Sequence, residues 1–146
     1  MLETIPVLIS IRSCARRDDM EEDETISMIV SGQMELEEDG AVIRYEESLD
    51  ESLPPQSVTV TVRDEAVTMD RAGEYAANML FRMGCRFEGL YHTPAGEMEL
   101  AIYCTRLDYD LGEEGGEIQV SYQLDLNGHF AAVHDMEMHL IRQGDA

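Results

Sequence analysis

Lysine is absent from these 146 residues, and all ten basic side chains are arginine. That removes Schiff-base chemistry and the lysine of P-loop phosphate sites. Positive charge of any kind is scarce: thirty-one acids against ten bases leave a formal charge of −21. Nucleic acid and anionic membrane surfaces are therefore excluded as expected partners, because both demand concentrated positive charge. Cysteine is sparse and odd in number. Cys14, Cys85 and Cys104 share no C-x-x-C spacing, so neither a disulfide framework nor a zinc knuckle is expected, and buried free thiols are the simplest reading. No stretch nears the roughly 18 apolar residues of a membrane helix. The opening MLETIPVLISIR has acidic Glu3 and no basic lead, so a cytoplasmic chain starting at Met1 is expected. Linker composition is missing too, Pro54-Pro55 being a short punctuation before a strand, and no fixed-period repeat is evident. One domain over residues 1–146 is expected, long enough to bury roughly two-thirds of its unfolded surface.

What the chain has in abundance is period-two alternation, the mark of strands with one buried and one solvated face. Ile5, Val7, Ile9 and Ile11 share a face; so do Ile26, Met28, Val30, Met34 and Leu36, then Ile43 and Tyr45, then Val58, Val60 and Val62. Val67 and Met69 follow, then Tyr75, Ala77, Met79 and Phe81, and Met98, Leu100, Ile102 and Cys104. The last runs are Ile118 to Leu126 on even numbers, and His134, Met136, Met138 and Leu140. Turn residues separate them at Asp39-Gly40, Ala72-Gly73, Pro94-Ala95-Gly96, Gly115-Gly116 and Asn127-Gly128. Asn-Gly is the strongest of these, since both residues tolerate the positive φ of a type I′ hairpin turn. The pattern predicts an all-β meander of eight to ten strands. Closure into an antiparallel up-and-down barrel removes the two edges that would otherwise pair with other chains, and a two-sheet β-sandwich is the alternative.

Phe81-x-x-Gly84, Tyr91-x-Thr93-Pro94-x-Gly96-x-Met98-x-Leu100, Thr105 and Gly116-x-Ile118-x-Val120-x-Tyr122-x-Leu124 resemble the YwiB-like family of small bacterial barrel proteins over nearly the whole chain. The resemblance implies a calycin-like, that is lipocalin-like, barrel in a cytoplasmic protein. That family carries the label of a domain of unknown function, and the resemblance brings no catalytic residues with it.

Chemistry-bearing clusters are few. Acids gather at Asp18 to Glu24 and at Glu46 to Glu51, between strands that a meander joins at the same barrel end. A cation-attracting rim is weighed there against plain solvated charge, which is the commoner meaning of such blocks. Asp108 to Glu114 has a passing likeness to a calcium loop but lacks the third acid and has Gly112 one place early, so it reads as an acidic hairpin loop. His129, His134 and His139 are spaced by five, which in a continuous strand alternates their faces and forbids a shared metal. No catalytic motif, metal set or cofactor-binding motif is found, and the chain is not expected to be an enzyme.

Seven methionines occupy the apolar phase, a composition that either fills a barrel or lines an adaptable lumen. If a ligand enters, the expected lining is Met28, Met34, Tyr45, Met79, Phe81, Tyr122, His134 and Met136. The expected function is a non-catalytic interaction or structural module acting through its acidic surface or through self-association. Its partner would be a basic protein or a second copy. A lipocalin-like carrier or sensor of a small apolar ligand is the alternative.

Overall fold

The structure, a computed structural model, describes residues 3–17, 24–48, 52 and 54–144. Ten antiparallel strands follow one another: β1 (Glu3–Arg16), β2 (Glu24–Glu37), β3 (Gly40–Glu47), β4 (Gln56–Arg63), β5 (Ala66–Ala72), β6 (Ala76–Arg82), β7 (Arg86–Thr93), β8 (Gly96–Gly112), β9 (Gly115–Leu126) and β10 (His129–Arg142). Each pairs with its chain neighbours, and β1 closes on β10. The result is a closed up-and-down barrel; the sandwich alternative is not found. The apolar phase of the strands points inward as the alternation requires, on odd numbers in β1, β3, β5 and β6 and on even numbers in β4, β9 and β10. The outward rows are mostly polar and carry ion pairs such as Arg44–Glu35 and Arg106–Asp108, both 2.9 Å, together with Arg63–Glu37. That polarity is opposite to a barrel whose outer face meets lipid.

Hairpin alternation gives the barrel two ends. The upper end carries the connections from β1 to β2, β3 to β4, β5 to β6, β7 to β8 and β9 to β10; the lower end carries the others. In the lower half Ile5, Ile9, Met34, Ile43, Met69, Phe81, Ile102, Ile118 and Met138 are all fully buried in one cluster. Turn chemistry at that end is tight. Asp64 and Glu65 both have positive φ, 54° and 60°, as a two-residue type I′ turn requires. Asn127-Gly128 takes the same form at the upper end, with φ of 51° and 79°.

Strand length divides the wall. The neighbours β8, β9, β10, β1 and β2 run for 12 to 17 residues, whereas β3 to β7 have 7 or 8. The ladder between β2 and β3 runs only from Gly32 to Glu37, its last pair being Gly32–Tyr45, two residues short of the end of β3. Residues 24–31 stay paired to β1 alone among the described residues. Gly32 marks the departure: a Cβ there would sit 2.6 Å from the Arg44 carbonyl oxygen. The expected inward row Ile26, Met28 and Val30 has the right phase but the wrong burial, for Ile26 is 55% exposed and the other two half-buried. Above Gly32 no strand pairs with β2 on the β3 side among the described residues.

Other expectations are corrected. Thr105 lies in a bulge between Cys104 and Arg106, which shifts the inward phase of β8 to odd numbers, and Leu107 and Tyr109 oppose Val120 and Ile118. Asp108 to Gly112 therefore continue the strand rather than form a loop, leaving a turn at Glu113-Glu114. A second bulge between Phe130 and Ala132 brings His129 onto the face of His134, opposite Leu126 and Tyr122. Cys85 is exposed in the turn after β6, while Cys104 is buried and Cys14 half-buried, all three as free thiols.

Candidate functional site

Cross-strand partners share a face, so the pairing register states what meets inside the barrel. One inward row runs Tyr45, Val58, Arg71, Ala77, Tyr91 across β3 to β7. Above it Glu47 opposes Gln56. On the long wall another row runs Cys104, Tyr122, His134, Ala15, Glu24. The upper interior is thus a polar mouth over an apolar plug.

Its core is an ion pair. Arg71 Nε donates to Glu47 Oε1 at 2.8 Å, and Glu47 is buried although it belongs to one of the acidic blocks expected at the rim. Burial of such a carboxylate requires a partner, and Arg71 supplies it. The rest of those blocks, 18–23 and 49–51, lies outside the described residues; Glu24 and Glu46 are exposed. Gln56, 3% exposed, accepts a 2.6 Å hydrogen bond from the Tyr75 backbone N–H through Oε1, while its Nε2 has no hydrogen-bond partner among the described residues. The Tyr75 ring stands edge-on to Tyr91 at 6.5 Å. Tyr122 is sandwiched between Phe81, 4.8 Å away, and His134, which stacks parallel to it at 5.1 Å.

Burial sets the protonation of these groups. Tyr45 is pushed up to about 12 by desolvation, with the Glu47 charge adding to the effect and Arg71 opposing it. Tyr91 and Tyr122 are raised too, chiefly by burial. His134 is lowered from the ordinary histidine value by burial first and by Arg17 second. The mouth therefore offers neutral phenols and a neutral imidazole, which hydrogen-bond but do not act as phenolate bases.

Of the residues expected to line a ligand, Tyr122 and His134 stack on each other, and Tyr45 lies in the inward row of Arg71. Met34 and Phe81 are fully buried in the plug, and Met79 and Met136 are packed into the same cluster. Met28, half-buried, packs against that cluster from the stretch of β2 above its pairing with β3. Glu47, Gln56, Arg71, Tyr75 and Tyr91 were not anticipated. The signal was present for Arg71 and Glu47: each continues an inward phase, after Val67 and Met69 or after Ile43 and Tyr45. Among the described residues no group of three or more His, Cys, Asp or Glu is placed to hold a metal.

A second feature lies outside. Leu8 of β1 and Ile141 of β10 are cross-strand partners on the outer face, 37% and 65% exposed, and Ile29 of β2, 69% exposed, stands opposite Ser10 beside them. Outward positions of β1 from Thr4 to Arg16 and of β2 from Thr25 to Gln33 include no acid. In a chain of charge −21 that is an unusual surface.

Taken together, fold and interior define a small all-β protein built as a closed ten-stranded antiparallel barrel with a self-filled lower core and a polar mouth. Residues 9–140 match the family described as a domain of unknown function (DUF1934), and the chain belongs to that family. It is similar to the uncharacterized beta-barrel protein YwiB of Bacillus subtilis (strain 168), 24% identical over 136 residues covering 93% of each chain. The crystal structure of that ywiB protein has the same fold, with a TM-score of 0.85 at 23% identity over 97% of this chain and 94% of the other. No helix among the described residues is long and apolar enough to cross a membrane.

Proposed function

We propose that this chain is a non-catalytic cytoplasmic interaction module that works by self-association of its long-strand wall. The observation that carries this reading is the outward apolar patch of Leu8, Ile29 and Ile141, beside which the outward positions of β1 from Thr4 to Arg16 and of β2 from Thr25 to Gln33 carry no acid, in a chain of charge −21. Such patches on soluble proteins mark association sites. The lower interior supports it, because a lumen filled by its own Met, Ile and Phe side chains leaves a lipocalin-like ligand no deep cavity. Sedimentation velocity at rising salt is the test. Dimers are expected, their fraction growing with salt as the repulsion between two highly acidic bodies is screened. A chain monomeric throughout overturns the reading.

A second reading, a carrier of a small apolar ligand, is favoured by one groove. Arg17, Leu124, Leu126, Phe130, Ala132 and His134 line a space of ≈ 470 Å³ at the upper rim, within the volume range of small-molecule sites. Saturable binding of a fluorescent fatty acid, abolished by Leu124→Arg, would support it.

A further inference from the structure

Two seams of the barrel are short of strand pairing, and they differ. Between β6 and β7 the ladder is reduced to Ala76–His92 and Ala77–Tyr91. Below it, however, the turn is tied across to β8, where Gly84 N–H donates to the Cys104 carbonyl at 2.9 Å and Cys104 N–H to that of Cys85 at 3.4 Å. The other seam is the edge of β2 above Gly32, where residues 24–31 meet no strand on the β3 side among the described residues. An edge of that length is a template for another strand, and proteins ordinarily blunt such edges with charge, proline or bulges. None of those devices occurs in Thr25-Ile26-Ser27-Met28-Ile29-Val30-Ser31.

We infer that this edge pairs antiparallel with its own copy in a second chain, about a two-fold axis through Met28, joining two barrels into one continuous sheet. The inference rests on the self-association proposed above and names its register. A two-fold axis perpendicular to the sheet keeps each row on its own face, so residues pair with partners of the same parity. Centred on Met28, the register sets Ile26 against Val30 of the second copy, Met28 against Met28, Ser27 against Ile29 and Thr25 against Ser31. The half-exposed inward row becomes a continuous apolar row, and no charged residue enters the ladder. The neighbouring register, centred on Ser27, would place Glu24 against Val30. A basic partner strand would find no acid along residues 25–31 to answer its charge, which is why a second copy is the occupant these residues fit.

Cross-linking reads the register directly. Residues directly opposite across an antiparallel pair have Cα atoms about 4.5 to 5.5 Å apart, within disulfide range. In a Cys85→Ser background, which removes the exposed native thiol, Met28→Cys is expected to form a disulfide-linked dimer under mild oxidation, whereas Ser27→Cys and Ile26→Cys alone are not. Ile26→Lys, at an exposed position that leaves the barrel core untouched, is expected to weaken the dimer by about tenfold or more. Dimers that cross-link through Ser27→Cys, or through neither residue, or that survive Ile26→Lys unchanged, overturn this register while self-association by another face stands. A chain monomeric in sedimentation at every salt concentration overturns both.

Discussion

The lower and upper halves of this barrel are built from the same strands with the same alternation, yet only the lower half is closed by apolar packing. Below, both walls are present and their inward residues meet, so Met34, Met69, Phe81, Ile118 and Met138 lose all contact with solvent. Above, the short wall of β3 to β7 ends while β10, β1 and β2 continue. Inward residues there border a polar mouth held by Arg71 and Glu47 or, like Met28 and Val30, pack against the core only in part, and Ile26 is exposed. Burial is thus a property of two walls facing each other, not of a strand's own pattern.

Core truncation should separate the halves most sharply. Phe81→Ala is expected to cost about 4 kcal/mol by loss of transfer energy plus a cavity. Met28→Ala, on the splayed stretch, should cost less than about 1 kcal/mol in the monomer. Urea unfolding at unchanged m value reads both, and equal costs would erase the distinction. Next in size is the ion pair of the mouth. Arg71→Ala leaves Glu47 buried without its partner and should cost about 2 kcal/mol, with Glu47→Gln in the same chain recovering most of the loss. A neutral Arg71→Ala would mean that the upper end is not closed by this pair.

Alkaline pH tests the mouth in another way. Tyr45 ionises near 10.0 in the unfolded chain and at about 12 in the fold. Its contribution is therefore fully present below pH 10 and lost between pH 10 and 12, on the order of 2 kcal/mol, a loss that Tyr45→Phe should remove. A smaller effect of opposite direction belongs to His134, whose folded value is lowered. As pH falls below 6.5 the unfolded chain takes up the proton first and stability declines, and His134→Gln should flatten that slope. At the lower end, replacing Asp64-Glu65 by Asn-Gly should add about 1 kcal/mol, because Glu65 holds a positive φ that costs a residue with a Cβ. Equal gain or loss at the two ends across this series would show that the barrel unfolds as one uniform body.

Much of this was legible in the chain. The alternation that places Ile5, Val7, Ile9 and Ile11 inside, and the same phase in Val58, Val60 and Val62, is local: each side chain's face follows from its parity along an extended backbone. Turn type at Asn127-Gly128 is likewise a property of the two residues themselves. The bulges at Thr105 and before Ala132 were not legible, because a bulge is one unpaired residue against a partner strand and no single strand records it. They are what put Leu107 and Tyr109 on the phase of Val120 and Ile118, and His129 on the face of His134.

The sequence by itself thus determined the class of fold, the direction most strand residues face, and an overall charge of −21. Only the tertiary structure decided how far each wall extends. That is why the Glu47 carboxylate is buried against Arg71 although it belongs to an acidic block, and why Ile26 is exposed although its phase is apolar. Pattern fixes which way a side chain points through backbone geometry within one strand, but whether anything stands opposite depends on the lengths and stagger of strands distant in the chain.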